Sequence, residues 1–408
     1  MSHGEDRGVR GATLPPPGRR RSSAPGDAFL RPQPLEVASG WIYGSVPATL
    51  PDASGISPRA ALDDAIRPAL VDGPCFVTFS GGRDSSAVLA AATSLARREG
   101  HRLPVPVTRC YPDVPESDEA DWQRSVIDHL GLTEWLRLEL RDGESDLLGP
   151  SARDALAKRG ALWPPALQTH GVVFDQVRGG SLLTGEGGDA VLGERRITAL
   201  AALLRRRRPS RALVRYAVMS CLPRPVRRRT LRGLLRQSPQ HRWLRPAAFD
   251  QHVRLLAADV ADEPWGYAAA TRAISRQRSF ATVVHNHTAA AAEHDVRASD
   301  PLLDHRFVAA LATSAGRTGH LGRTATMRAL FSDVLPEPVL SRSTKASFNR
   351  VHTGAATREF ARGWDGSGVD TELVDVERLR SVWLSDEPTM AAGVLLHHAW
   401  LASAGPTP

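Results

Sequence analysis

Two glycine-rich segments carry most of the residue types that could do chemistry. The first, Ser80-Gly81-Gly82-Arg83-Asp84-Ser85-Ser86, follows an apolar run at 75–79 and leads into a helical pattern. Gly81 and Gly82 allow the backbone to turn sharply and to approach a ligand closely. The N-terminus of the next helix would add unpaired N–H groups and a positive dipole end. Together with the hydroxyls of Ser80, Ser85 and Ser86, these features predict a loop that binds phosphate or pyrophosphate.

Asp84 is out of place in such a loop, because a carboxylate repels a bare phosphate. A bridging Mg²⁺ would remove this conflict, so we predict that Asp84 is a metal ligand. The alternative is a glycine-rich turn in which the aspartate and the serines cap a structural helix. The strand–SGGxDSS–helix context favours the binding loop.

The second segment is Thr184-Gly185-Glu186-Gly187-Gly188-Asp189, which follows the apolar run at 180–184. In an open parallel sheet, loops at the carboxyl ends of the strands face the same crevice. We therefore predict that Thr184 and Gly185 contribute to the phosphate site and that Asp189 completes the Mg²⁺ site with Asp84. A carboxylate at Glu186 could act as a general base or orient an attacking amine. A glycine-rich surface loop is the alternative.

The use of lysine gives a further clue. Lys158 and Lys345 are the only lysines among 52 basic residues, and the rest are arginines. This bias is typical of GC-rich codon usage, so a remaining lysine indicates a chemical need for an ammonium group, with chance retention as the alternative.

The elements that must position these residues alternate between strands and helices. Apolar runs predict strands near 75–79, 104–108, 135–140 and 180–184, and helical periodicity predicts helices over 58–71, 86–98 and 118–130. This order predicts an α/β fold with an open, mostly parallel sheet and helices on both faces. From about residue 196 the pattern is helical, and we predict no strand there.

Composition divides the chain into four regions. We predict a disordered Pro/Arg-rich arm at 1–38, a nucleotide-binding core at 39–195, a basic helical region at 196–295 and a helical C-terminal part at 296–408 that completes the site. Residues 195–249 contain sixteen arginines and no acidic residue, while the net charge of the whole chain is +8. The rest of the chain therefore has a net charge of −8 (8 − 16). The excess positive charge belongs to this one segment and does not indicate that the whole protein surface is basic.

The two glycine-rich segments resemble those of the PP-loop ATP pyrophosphatase superfamily and, as a pair, the synthetase domain of the asparagine synthetase family. Two more stretches extend the resemblance over residues 58–402, namely Arg297-Ala298-Ser299-Asp300-Pro301-Leu302-Leu303-Asp304 and Leu335-Pro336 followed by 341–348. Lys345 falls on the family's catalytic lysine, which stabilises charge on the α-phosphate and the departing pyrophosphate. The resemblance implies a PP-loop fold, ATP as substrate, Mg²⁺, and an AMP-forming ligase that joins a carboxylate to ammonia or an amine.

The family's parent reaction converts aspartate to asparagine, and the resemblance leaves other reactions open. Lasso-type peptide macrolactam formation, with a precursor peptide as substrate, is one alternative, and an inactive ATP- or peptide-binding scaffold is another. Glu186 stands where β-lactam synthetases tend to carry tyrosine, which disfavours β-lactam closure. Two departures from the family pattern are Arg83, which replaces an apolar residue, and Ala190, which replaces an acid.

The family's usual glutaminase domain has a cysteine at position 2, whereas this chain has Ser2 and its first cysteine is Cys75. We therefore expect that ammonia is free or comes from a separate glutaminase or biosynthetic partner protein. The three cysteines have no paired spacing, which disfavours a zinc fold, a disulfide scaffold and tRNA thiolation. The basic segment lacks RNA-binding motifs, and no apolar stretch is long enough to span a bilayer. We expect a cytoplasmic protein that binds neither nucleic acid nor membranes.

Overall fold

The computed structural model describes residues 28–141, 143–205, 210–344, 346 and 348–404. Five strands occur in this part of the chain. They are β1 (Cys75–Thr78), β2 (Val105–Cys110), β3 (Leu136–Glu139), β4 (Ser181–Leu183) and β5 (Arg297–Ser299). The predicted strands near 75–79, 104–108, 135–140 and 180–184 are thus confirmed within a few residues at each end.

The α-helices of the described residues connect and cover these strands. They are α1 (Pro34–Ser39), α2 (Pro58–Val71), α3 (Arg83–Glu99), α4 (Ala120–Leu130), α5 (Pro150–Arg159), α6 (Gly171–Phe174), α7 (Gly188–Val191), α8 (Arg196–Arg205), α9 (Arg211–Cys221), α10 (Arg224–Arg236), α11 (Pro246–Ala261), α12 (Tyr267–Ile274), α13 (Arg278–Ala292), α14 (His305–Ser314), α15 (Arg323–Phe331), α16 (Glu337–Ser341), α17 (Ala355–Gly363), α18 (Val376–Leu384) and α19 (Gly393–Ala404).

The strands form one parallel sheet in the order β3-β2-β1-β4-β5. The chain proceeds from β1 towards β2 and β3 on one side and returns to β4 and β5 on the other. The order therefore reverses between β1 and β4, and a crevice forms outside their carboxyl ends. The segments that follow these two strands are the two glycine-rich loops.

The sheet has helices on both faces, as the fold prediction requires. Val77 of β1 and Leu183 of β4 point into one core, which α2, α3 and α14 cover. Val107 of β2 and Leu182 of β4 point into the other core, which contains residues of α6 and α13. Successive side chains of a strand point to opposite faces, so Leu182 and Leu183 anchor β4 in both cores.

A third core contains no strand residue and joins helices from several parts of the chain. It contains three tryptophans, Trp243, Trp364 and Trp383, each no more than 3% exposed, together with residues of α1, α5 and α19. Buried aromatic side chains of this size contribute strongly to stability. This core brings α1, near the start of the described chain, together with α19 at its end.

Two features differ from the sequence prediction. The first is β5, which lies in the region where no strand was expected. A strand of three residues that pairs with one neighbour is too short to show a recognisable hydrophobic period in the sequence. Residues 28–38 fall within the predicted disordered arm, but Phe29 is buried and Glu36 of α1 pairs with Arg278 of α13. Residues 1–27, the rest of that arm, lie outside the described residues. Within the described ranges, no helix has both the length and the apolar character needed to cross a membrane.

Candidate active site

The loop after β1 folds tightly around its own serines. Gly81 has a φ of 82°, and a Cβ at this position would lie 3.0 Å from the Gln123 side chain. The backbone N–H of Ser80 donates to Ser85 Oγ at 3.3 Å, and the Ser85 hydroxyl lies 3.1 Å from the carbonyl oxygen of Gly82. These contacts fix the turn that leads from the strand into α3.

Helix α3 begins directly in this loop. Gly82 is its N-cap residue and has no side chain to satisfy the first N–H groups of the helix. Ser86, in the first turn, is fully buried, and its Oγ has no hydrogen-bond partner in the described part of the chain. A 17-residue helix that presents unpaired donors at its N-terminus suits an anionic ligand.

The second loop packs against the first through its glycines. A Cβ at Gly185 would lie 2.7 Å from the backbone nitrogen of Ser85, and one at Gly188 would lie 2.3 Å from Cγ of Asp84. Gly187, between them, has a φ of 76°. Side chains at 185 and 188 would therefore separate the two loops, which explains the glycines of the TGEGGD sequence in steric terms.

Arg323, the first residue of α15, connects the two predicted metal ligands. One guanidinium nitrogen donates to both carboxylate oxygens of Asp84 at 2.6 Å, and the other nitrogen pairs with Asp189. The sequence prediction did not include Arg323, because nothing in its spacing relates it to the loops. Its position shows that the two carboxylates can face one small cationic group together.

The two carboxylates fit a magnesium site that a nucleotide completes. Carboxylate oxygens are hard ligands, and Mg²⁺ usually takes one or two of them together with phosphate and water. Among the residues that the structure describes, no group of three or more His, Cys, Asp or Glu side chains could hold a metal by itself. Asp84 and Asp189 would therefore hold Mg²⁺ jointly with the phosphates of ATP.

Glu186 lies next to a buried polar cluster. Its backbone N–H donates to Thr184 Oγ1 at 3.0 Å, and the Thr184 hydroxyl in turn hydrogen-bonds to Asp300 Oδ1. His287 Nδ1 lies 3.5 Å from the same Asp300 oxygen. Burial of the Glu186 carboxyl group, with the nearby Asp300 as a second cause, raises the pKa of Glu186. A carboxylate of raised pKa is a better proton acceptor than an ordinary surface glutamate.

Lys345 and Ser347 lie outside the described residues, but the residues around them are attached to the first loop. Arg342 and Glu119 form a buried ion pair, and Arg342 also donates to the carbonyl oxygen of Gly81 at 3.0 Å. The backbone N–H of Ala346 donates to Glu119 Oε1 at 2.9 Å. Glu119 therefore holds both sides of the lysine-containing segment beside the loop after β1.

A cavity of about 640 Å³ connects these residues with a second group of polar side chains. Its phosphate-loop side consists of the two glycine-rich loops with Arg83, Glu119, Arg323 and Arg342. Its histidine side consists of Arg109 and three histidines among apolar residues. The polar residues of the histidine side are Arg109, His170, His287 and His352. Its apolar residues are Val107, Pro164, Leu167, Val173, Phe174, Leu182, Phe280 and Val283.

His352 and His170, two histidines of this side, are held in their neutral form. Burial lowers the pKa of His352 to about 4, and the positive charge of Arg109 adds to the effect. The same two causes, with contributions from the neighbouring histidines, hold the pKa of His170 well below its ordinary value. His352 Nδ1 lies 3.0 Å from the carbonyl oxygen of Ser145, so the neutral ring carries its proton on Nδ1.

The structure thus brings most of the predicted site residues to one crevice. Ser80, Gly82, Asp84 and Ser85 from the first loop, and 184–189 from the second, line a single cavity. Gly81 and Ser86 belong to the same loop but do not line the cavity. The sequence prediction did not include Arg109, Glu119, Arg323 or Arg342 among the site residues. Of these, only Arg342 stands within a family motif that could have indicated it.

The comparison with protein families agrees with this arrangement. The sequence profile described as asparagine synthase matches residues 58–402 of the chain. The chain therefore belongs to the asparagine synthase family, whose members are ATP-dependent amide-bond synthetases. A search among curated proteins returned no match.

Proposed function

We propose that this protein activates a small carboxylate as an acyl-adenylate and transfers the acyl group to ammonia or an amine. The observation that supports this most strongly is the pairing of the two glycine-rich loops at one cavity. They present a helix N-terminus, Asp84, Asp189 and Glu186 together at the switch point of a parallel sheet. A site with these groups can bind ATP on one side and can support transfer of the acyl group to ammonia or an amine on the other.

In the first half-reaction, a carboxylate oxygen of the substrate attacks the α-phosphorus of ATP. The bond between the α-phosphorus and the oxygen that bridges to the β-phosphorus breaks, and pyrophosphate leaves. Ser80, Gly81, Gly82, Ser85, Ser86, Thr184 and Gly185 would bind the phosphates. Mg²⁺, held by Asp84 and Asp189, would neutralise phosphate charge. The resemblance assigns to Lys345 the stabilisation of charge on the α-phosphate and on pyrophosphate.

In the second half-reaction, the amine nitrogen attacks the acyl carbon, the bond to AMP breaks, and the nitrogen loses a proton. Glu186 would accept this proton, because its raised pKa brings the carboxylate closer to the basicity of a useful general base. The product is an amide, and AMP leaves with the oxygen that came from the carboxylate.

The test is detection of AMP and pyrophosphate by mass spectrometry after incubation with Mg-ATP, aspartate and ammonia. We expect AMP that depends on aspartate, together with asparagine. Nucleotide binding without AMP formation, for either aspartate or acidic peptides, would favour the scaffold alternative and overturn the proposal.

A second candidate, closure of a macrolactam in an acidic peptide, has one specific observation in its favour. Arg211 and Arg215 of α9 and Arg229 of α10 are exposed, and each of these helices also carries an exposed valine, Val214 at 39% and Val226 at 48%. Basic and apolar side chains on adjacent helices suit an acidic peptide. The same assay with peptides encoded by neighbouring genes tests it, because peptide-dependent AMP with loss of one water identifies cyclisation.

A further inference from the structure

Helices α9 and α10 bury polar or small side chains and expose large apolar ones. Arg227 is the one buried residue of α10 and is 5% exposed, whereas Val226 and Leu234 of the same helix are 48% and 54% exposed. In α9 the buried residues are Ala217 and Ser220. A surface helix of a globular protein normally turns its apolar face towards the core. The reversed arrangement of these two helices therefore needs an explanation.

The inner side of the two helices is fixed by hydrogen bonds. Arg227 donates to the carbonyl oxygen of Glu263 at 3.3 Å and also to that of Ala261. Arg196 of α8 donates at 3.0 Å to the carbonyl oxygen of Leu222, which lies in the turn between α9 and α10. Charge-assisted bonds of this kind determine which side of each helix faces the protein. The apolar residues point outwards because arginines occupy the inner side.

Exposed apolar side chains are concentrated in this part of the protein. Twelve large apolar residues are exposed in the described ranges, and six of them lie within residues 204–234. These six are Leu204, Val214, Tyr216, Val218, Val226 and Leu234. Neither the active-site cavity nor a second cavity beside α17 is lined by residues of α8, α9 or α10. The six side chains therefore form part of an outer surface of three successive helices, which we call the α8–α10 surface.

The same helices carry an excess of positive charge. Helices α9 and α10 contain eight arginines, and residues 195–249 include no acidic residue. Within the described chain, Arg224 pairs with Asp262, Arg236 pairs with Asp250, and Arg227 binds backbone carbonyl groups. The other five arginines form no ion pair with a described residue, and they are Arg211, Arg215, Arg228, Arg229 and Arg232. Charge complementarity therefore requires an anionic occupant of the α8–α10 surface.

Three other occupants fit this surface less well. Residues 1–27 contain five arginines and three acidic residues, a net charge of +2 (5 − 3), so this segment would be repelled. A second copy related by two-fold symmetry would place the same arginines against each other. Single-stranded RNA binds through stacked aromatic side chains, and the exposed set contains one aromatic residue, Tyr216.

We infer that the α8–α10 surface binds the surface of a membrane that contains anionic lipids. The arginines would pair with lipid phosphates, while the exposed valine and leucine side chains would enter the headgroup region. The sequence prediction that the protein binds no membranes considered only stretches long enough to span a bilayer, and this mode of binding requires none. The inference is independent of the proposed function, because it involves no residue of the active-site cavity.

The test is co-sedimentation of the full chain with lipid vesicles. One kind of vesicle contains phosphatidylcholine alone, and the other contains equal parts of phosphatidylglycerol and phosphatidylcholine. We expect the partition coefficient to be at least about tenfold higher on the anionic vesicles, because each arginine near such a surface adds to the attraction. A variant that combines Arg211→Gln, Arg215→Gln and Arg229→Gln should lose most of this preference.

A second variant, Val226→Ser with Leu234→Ser, tests the apolar contribution. We expect it to partition about tenfold more weakly onto the anionic vesicles, because two apolar side chains no longer enter the interface. The matched control is Leu30→Ser with Val71→Ser, which changes the same two residue types at positions that are 43% and 57% exposed elsewhere. This control should sediment like the unmodified protein.

The matched control for the arginine variant combines Arg124→Gln, Arg153→Gln and Arg317→Gln. These arginines are exposed, lie outside the basic segment and form no ion pair with a described residue. The control removes the same amount of charge and should keep the preference for anionic vesicles. All substituted side chains are exposed, so each variant should retain the thermal unfolding midpoint of the unmodified protein, and losses of binding are compared among variants that do.

Three outcomes would overturn the inference. The first is equal partitioning of the unmodified protein onto both kinds of vesicle. The second is weaker binding in the arginine variant but not in the valine–leucine variant, because this would show adsorption by charge alone. The third is binding of poly-glutamate or poly-uridylate RNA without binding of vesicles, which would identify an acidic peptide or a nucleic acid as the occupant. Vesicle binding by a protein that forms no AMP would support this inference and leave the proposed reaction wrong.

Discussion

The two sides of the cavity differ in whether their charged side chains are paired. On the phosphate-loop side, charges are dense and paired, since Arg323 bridges Asp84 and Asp189 and Arg342 meets Glu119. On the histidine side, Arg109 Nη1 is buried without a hydrogen-bond partner among the described residues, and the rings of His170 and His352 are neutral. A ligand of the first side therefore meets charges that are already paired, whereas a ligand of the second side meets an arginine with one unsatisfied nitrogen.

This difference separates two kinds of selectivity. Loops with paired charges can bind a highly charged ligand such as Mg-ATP by exchanging existing ion pairs for contacts with Mg²⁺ and phosphate. An arginine with an unsatisfied nitrogen favours ligands that supply an acceptor over ligands that do not. We expect variants of the first side to affect catalysis with every substrate and variants of the second to affect the choice of substrate.

The largest effect is expected from Asp84→Asn. The substitution removes one of the two predicted Mg²⁺ ligands and leaves Arg323 with only Asp189 as its acidic partner in the described chain. We expect a loss of AMP formation of about 10³-fold, since metal stabilisation of phosphate charge is worth several kcal/mol. AMP release from Mg-ATP measures it.

Asp64→Asn is the control for this prediction. Asp64, on the surface of α2, also faces two arginines, Arg67 and Arg306, but lies away from the cavity. AMP formation should stay normal in this variant. Normal turnover in Asp84→Asn would show that the metal assignment is wrong.

The same contrast explains what the sequence could and could not predict. The phosphate-loop side was predictable, because the chemistry of Ser80–Ser86 and of the TGEGGD loop lies in contiguous residues whose glycines have a local steric reason. Arg323 and Arg109 were not predictable, because their roles arise from contacts with residues far away in the chain. The sheet followed from alternating patterns, whereas β5 depends on pairing with β4 and has no pattern of its own.

The next effect concerns the ion pair that attaches the lysine-containing segment. Glu119→Gln leaves the guanidinium of Arg342 buried without a carboxylate, and we expect the free energy of unfolding to fall by about 3 kcal/mol. Chemical denaturation measures this change. Glu116→Gln is the control, since Glu116 pairs with the largely exposed Arg350 and should contribute little. Equal stability of the two variants would contradict a buried structural pair.

A somewhat smaller effect is expected from Glu186→Gln, which should slow amide formation by about 100-fold. Formation of the acyl-adenylate, measured by exchange of labelled pyrophosphate into ATP, should change much less. A parallel loss in both half-reactions would show that Glu186 supports nucleotide binding and is not the base.

The pH dependence of amide formation tests the same residue. Glu186 must be deprotonated to act as the base. Because burial and Asp300 raise its pKa, the rate of amide formation should begin to fall, as the pH is lowered, at a pH above the ordinary glutamate pKa of 4.5. Asp300→Asn removes one cause of the shift and should move this fall to lower pH. An acid limb that stays in place in Glu186→Gln would belong to another group.

The smallest expected effect is a shift in the titration of His352, and it reports directly on the charge of Arg109. The positive charge of Arg109 opposes protonation of the ring, so Arg109→Gln should raise the pKa of His352 from about 4 towards the ordinary value of 6.5. Burial is the larger cause and remains, so the shift should be partial. Ring-proton NMR measures the titration. Arg137→Gln, which removes an exposed arginine of β3, should leave it unchanged. Because the folded-state pKa lies below the unfolded one, His352 costs the native state stability as the pH falls from about 6.5 towards 4. This loss should be smaller in Arg109→Gln than in the unmodified protein, and an identical His352 pKa in both would mean that Arg109 does not carry its charge beside this ring.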